Sequence, residues 1–101
     1  MNNVNPIINL NRVGNAKKFD SHLAFPDMVD NYANEATKFK ISTKGKGGKI
    51  IRESDLYQLK GGLNKDDGSF EWIVDNNKVT HRRFIKNGEI NGVPNQTPFK
   101  K

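Results

Sequence analysis

Cysteine is absent from this 101-residue chain, which removes disulfides and thiolate metal sites together and leaves packing and backbone hydrogen bonds to hold the fold. No apolar run is long enough to span a membrane, and no charged segment leads into the apolar core of a signal peptide. Metal-ligand spacings are missing too: there is no His-x-x-x-His and no Glu-x-x-His, and Asp66-Asp67-Gly68 reads as a turn rather than a calcium loop. A serine nucleophile has no Gly-x-Ser-x-Gly elbow to sit on. The lysine-glycine run Thr43 to Lys49 lacks the glycine spacing of a phosphate loop. No metal and no cofactor is therefore expected.

The length suits one domain with one modest core, and 34% hydrophobic against 28% charged residues make that core lean. The net charge of +6 is unevenly spread. Residues 1–35 carry three basic and four acidic side chains, and residues 36–101 carry fourteen and seven. Such a surface meets phosphate or an acidic protein, unless it is simply a solvated lysine surface.

Ser69 to Ile85 organises the rest. Two β-branched and aromatic runs flank Asp75-Asn76-Asn77-Lys78, and asparagine accepts the positive φ of a tight turn, so a β-hairpin is expected. A turn at Asn76-Asn77 pairs Val74 with Val79, Trp72 with His81, Glu71 with Arg82 and Phe70 with Arg83. One face then carries Phe70, Trp72, Val74, Val79 and Ile85 together with His81 and Arg83. Either those two polar residues sit at an uncovered edge of the core, or a bulge shifts the register and moves them to the other face.

Residues 1–20 read as an irregular arm with a short strand at Ile7 to Leu10, and 21–101 as one domain. Phe25-Pro26 opens a helix, with Asp27 and Asp30 at its start and Phe25, Met28, Val29, Tyr32 and Ala36 as the buried stripe. Thr37 to Ser42, Lys49 to Arg52 and Asp55 to Lys60 read as strands, Gly61 to Gly68 as a connector, and Lys86-Asn87-Gly88 as a turn toward Glu89 to Val93. The expected class is α+β, an N-terminal helix packed on a four- to five-stranded antiparallel sheet.

His22 and His81 are the two histidines, and histidine supplies both the base and the acid that RNA cleavage needs near neutral pH. Arg82 and Arg83 are candidates to grip phosphate through paired N–H groups. Glu71 offers a carboxylate base, or a plain cross-strand salt bridge to Arg82. Lys44, Lys46, Lys49 and Lys60 are candidate backbone contacts, the first three against a plain reading as a lysine-rich turn, and Tyr57, Trp72, Phe84 and Phe99 are candidate base-stacking rings, although Trp72 and Phe84 at strand positions are more often core.

The segments Ala24-Phe25-Pro26-Asp27-Met28-Val29-Asp30-Asn31-Tyr32-Ala33, Asp55-Leu56-Tyr57-Gln58-Leu59, Gly68-Ser69-Phe70-Glu71-Trp72-Ile73-Val74-Asp75, Val79-Thr80-His81-Arg82-Arg83-Phe84-Ile85 and Gly92-Val93-Pro94-Asn95-Gln96 resemble the C-terminal toxin domains of bacterial polymorphic toxins of the LXG, Maf and contact-dependent growth inhibition types. The resemblance implies a ribonuclease of the group of barnase, EndoU, colicin D and RelE, in which one sheet face packs on helical structure and the other holds RNA. It also implies an effector delivered into the target-cell cytoplasm and a cognate immunity protein, expected to be acidic at the contact. His81 is the first residue to inherit a catalytic role. His22 lacks the glycine-rich context of an EndoU histidine, so the second acid or base stays open among His22, Glu71 and a lysine. A non-catalytic nucleic-acid-binding module and a DNase toxin are the alternatives.

Overall fold

A computed structural model of the chain describes residues 5–13 and 25–97. It is an α+β arrangement with one five-stranded sheet: β1 (Asn11–Arg12), β2 (Thr37–Lys44), β3 (Ile50–Leu63), β4 (Asp66–Asp75) and β5 (Lys78–Lys86), in the order β1-β5-β4-β3-β2. β2 to β5 form an antiparallel meander, but β1 runs parallel to β5, pairing Asn11 with Lys78 and Arg12 with Val79. The sheet is therefore mixed, a correction to the all-antiparallel expectation. The strand begins at the residue after Leu10, because Asn5 Oδ1 accepts the Ile7 and Ile8 amides and turns the chain at Ile7 to Leu10.

β3 is one fourteen-residue strand rather than two, and Gly61 and Gly62 belong to it. The turn to β4 falls at Asn64 and Lys65, both at positive φ. Gly61 is required there: a Cβ would lie 2.6 Å from the Phe70 ring. Asn76 and Asn77, at φ 53° and 62°, close the β4–β5 hairpin as expected. Past the turn at Asn87, residues 89–93 form no strand.

The expected helix is a 3-10 helix, Asp27–Glu35, and the change of period rotates its buried side. With three residues per turn, Asp30, Ala33 and Ala36 face the sheet, Val29 packs at the margin, and Met28 and Tyr32 are exposed. The stripe read with an α-helical period placed those last two inside.

The reason for this rotation is Asp30. Its Oδ1 accepts from Trp72 Nε1 at 2.9 Å and from Arg82 Nε at 3.0 Å, while Oδ2 takes Arg12 Nη2 at 2.5 Å. Arg82 also donates to the Phe25 and Pro26 carbonyls and lies 3.8 Å above the Phe25 ring. Around this polar knot Phe25, Tyr57, Phe70, Trp72, Val79 and Phe84 form the main core, with edge-on aromatic contacts from Phe25 to Phe70 and Trp72. Burial pushes the Arg82 guanidinium below its ordinary pKa, with Asp30 pulling the other way; on Arg12 burial also works against the charge, but Asp30 and Asp27 outweigh it.

Asp30→Ala leaves a buried guanidinium and an indole N–H without their acceptor. The expected loss is about 3–5 kcal/mol, a large part of a domain's usual stability. Urea unfolding measures it, and a loss below about 1 kcal/mol would contradict the assignment. Tyr57 gives a second test. Burial, then Asp55, raises its pKa above the usual tyrosine value, with Lys40 opposing. The fold holds the neutral phenol, so its contribution is complete below about pH 10 and is lost as pH rises through the higher folded value. Alkaline unfolding curves of the wild type and Tyr57→Phe should converge with rising pH, and parallel curves would refute the linkage.

Candidate active site

A bulge decides which side chains share the second sheet face. Val74 pairs with Val79 as expected, but the register shifts there, so that Ile73 faces His81, Trp72 faces Arg82, Glu71 faces Arg83 and Phe70 faces Phe84. Thr80 is the extra residue. The pairs Trp72–His81, Glu71–Arg82 and Phe70–Arg83 are thereby corrected, and of the two arrangements open from sequence the bulge is the one adopted. His81 and Arg83 move to the face of Glu71, while Arg82 turns into the core.

Glu71 is fully buried on this second face, and its Oε2 lies 2.8 Å from His81 Nε2. The same oxygen accepts the Asn95 amide at 2.7 Å, and Oε1 accepts Gln58 Nε2 at 3.3 Å. A carboxylate only accepts, so His81 Nε2 carries the hydrogen and Nδ1 is left for another partner. The imidazole is 14% exposed. Arg83 donates to Asn95 Oδ1, and its Nε has no hydrogen-bond partner among the described residues.

The face is bridged by residues 88–97. Gln58, itself buried, accepts the amides of Asn91 and Gly92 at 2.9 Å each through Oε1 and donates to the Val93 carbonyl at 3.2 Å. Lys60 Nζ donates to the Gly88 carbonyl at 3.0 Å. Gly92, at φ 76°, rests on the Phe39 ring so closely that a Cβ would lie 2.8 Å from it. Gln96 ties the segment to itself through the Glu89 amide and carbonyl. A recess of about 880 Å³ opens along this segment, bordered by Asn87, Asn91 and Asn95 among others, and neither Glu71 nor His81 lines it.

The candidate residues thus separate into groups. Glu71, His81, Arg83 and Lys60 share one face. Arg82 is on the other, 4% exposed and committed to Asp30, so the two guanidiniums do not flank the imidazole together. Tyr57 faces Trp72 in the core and offers no open ring for stacking. Lys44, Lys46 and Lys49 cluster at the β2–β3 turn, where Ile50 is six residues along β3 from the His81 row, or about 20 Å. His22 lies outside the described residues. No cluster of three or more His, Asp or Glu able to hold a metal occurs among the described residues, and no helix there is long and apolar enough to cross a membrane.

Two positions that build this face escape sequence reading. Gln58 is an uncharged residue whose partners come 33 to 35 positions later. Asn95 meets Glu71 through its backbone amide, a contact that no side-chain type marks in the sequence. No protein-family model, no curated protein and no solved structure matches this chain.

Gln58→Ala removes the amide that holds three consecutive residues of the bridging segment. The expected cost is about 2–3 kcal/mol, with faster hydrogen exchange at the Asn91, Gly92 and Asn95 amides and unchanged protection in the 3-10 helix. Unchanged exchange at all three would show that the segment is held by something else.

Proposed function

We propose that this chain is a metal-independent endoribonuclease domain of the interbacterial toxin type, cutting RNA by attack of the 2′ hydroxyl on the adjacent phosphate. The supporting observation is the contact between buried Glu71 and His81 on the sheet face opposite the main core. Glu71 holds Nε2–H and so orients the ring, as a carboxylate does for a catalytic histidine in other hydrolases. Nδ1 takes the 2′ proton, the 2′ oxygen bonds phosphorus, and the 5′ oxygen departs to leave a 2′,3′-cyclic phosphate. Arg83 is the cation for the charge gathering on phosphate, on the same sheet face as His81. Lys60 is the candidate on this face to protonate the leaving oxygen, and His22 is the candidate outside the described residues. Glu71 is a positioning residue in this scheme because its oxygens are already taken by His81, Asn95 and Gln58.

The resemblance to polymorphic-toxin domains adds the biological setting: delivery into a competing cell and neutralisation by an immunity protein with an acidic contact surface. A second reading, a non-catalytic nucleic-acid-binding module, is favoured by the bridging segment, since residues 91–95 already occupy the polar groups around Glu71.

Total RNA incubated with the protein in EDTA should yield fragments ending in cyclic phosphate. His81→Ala should lower the rate by about 10²–10⁴-fold, and Arg83→Ala should lower it while leaving the unfolding midpoint unchanged. A salt-sensitive mobility shift without fragments would establish the binding module instead. Cleavage of plasmid DNA with RNA left intact would establish a DNase.

A further inference from the structure

The β2–β3 hairpin outruns the rest of the sheet. β4 pairs with β3 only from Asp55, opposite Val74, and ends at Asp75. Yet β2 and β3 stay paired outward from Ser42 and Glu53 to Lys44 and Ile50. At about 3.3 Å per residue the overhang is roughly 10 Å of two-stranded ribbon, with the loop Gly45–Lys49 beyond it. A two-stranded ribbon is marginal alone. This one is pinned at its root by Arg52 Nε, 3.0 Å from Asp75 Oδ2, and closed at its tip by Gly47 and Gly48 at φ 76° and 79°.

The arm's surface is basic, and apolar where a solvated turn would be polar. Lys44, Lys46 and Lys49 are exposed with no carboxylate within 4 Å among the described residues, unlike Lys38 and Lys40, which meet Asp55. Glu53 is the one acid from Ser42 to Glu53. Ile50 and Ile51 are 56% and 67% exposed at the arm's end, and the exposed Thr43 precedes Lys44, the partner of Ile50.

We propose that the Ser42–Glu53 arm enters the major groove of duplex DNA, with Lys44, Lys46 and Lys49 on phosphates and Thr43, Ile50 and Ile51 toward the base edges. The dimensions select this partner. A B-form major groove is about 12 Å wide and about 8.5 Å deep, and admits a two-stranded ribbon, so an arm of roughly 10 Å reaches its floor. The major groove of duplex RNA is too narrow for side chains to read. Single strands are held by stacking on aromatic rings, and the arm has none. Isoleucine supplies apolar contact to thymine methyl groups. The arm's end at Ile50 lies about 20 Å along β3 from the row of His81, so the inference does not rest on the ribonuclease reading.

The test is fluorescence anisotropy with a labelled DNA duplex in EDTA. Three lysine–phosphate contacts predict that affinity falls about 40-fold between 50 and 200 mM salt. The triple substitution Lys44→Ala, Lys46→Ala, Lys49→Ala should abolish that dependence and weaken binding at 50 mM salt at least tenfold, with an unchanged urea midpoint. Ile50→Ser with Ile51→Ser should weaken binding and keep the salt slope. The proposal is overturned if the duplex is not bound at 50 mM salt, if the triple variant binds like the wild type, or if duplex RNA binds equally well. Retention on phosphatidylserine vesicles that duplex DNA cannot displace would also overturn it, in favour of a lipid surface. Binding of uncut duplexes does not report cleavage, so failure here leaves the ribonuclease reading standing, and failure to cut RNA leaves this one standing.

Discussion

One carboxylate joins most of the described elements. Asp30 receives the Trp72 indole from β4, the Arg82 guanidinium from β5 and the Arg12 guanidinium from β1, and its backbone carbonyl accepts Asn5 Nδ2. Carboxylate and Arg82 guanidinium are 7% and 4% exposed. Charges so placed are tolerable only when each donor has its acceptor, because the cost of leaving either unpaired exceeds what the pair itself gains. The geometry of the N-terminal half follows from that demand. The helix must present Asp30 inward with Ala33 beneath it, and a three-residue period does so where 3.6 would swing Tyr32 toward the sheet. The arm at Asn5 to Arg12 is then tied down by two hydrogen bonds to the same residue.

The bulge at Thr80 does for the other face what Asp30 does for the core. Without it, Arg82 would lie beside Glu71, and His81 would have to be buried against Trp72. With it, the guanidinium enters the core where Asp30 waits, and the imidazole reaches Glu71. The two buried acids among the described residues, Asp30 and Glu71, thus acquire their partners from adjacent residues on β5 through one inserted position. This couples fold and site: the step that completes the core also assembles the polar face.

These features differ in how far the sequence carries them. The Asn76-Asn77 turn is legible because left-handed φ has few tolerant residues. The strand content of 37–86 follows from local β-branched and aromatic runs. The register past Val79 is not legible, since Thr80 has no feature that marks a bulge; what reveals it is the mismatch of His81 and Arg83 with an apolar face, which sequence alone can state but not resolve. The 3-10 period of residues 27–35 is hidden for a related reason. Asp30 suits a helix start electrostatically, and only Arg82, 52 positions away, gives it cause to turn inward. Likewise Arg82 and Arg83 are indistinguishable as letters, and their neighbours on the third dimension give one to the core and the other to the candidate site.

The Glu71 carboxylate has no lysine or arginine nitrogen within 4 Å among the described residues and is held by three hydrogen-bond donors instead. Two of them, the Gln58 amide and the Asn95 backbone, are neutral and fixed in charge; His81 alone can gain or lose a proton. In the proposed reaction, a proton arriving at Nδ1 turns the imidazole into a cation and strengthens its hold on Glu71 Oε2, the oxygen that also receives Asn95. His81 and the segment above it share that one acceptor oxygen. A buried carboxylate satisfied by neutral donors plus one titratable ring is thus a place where chemistry and chain position share an atom, which a surface salt bridge between Glu71 and an arginine would not provide.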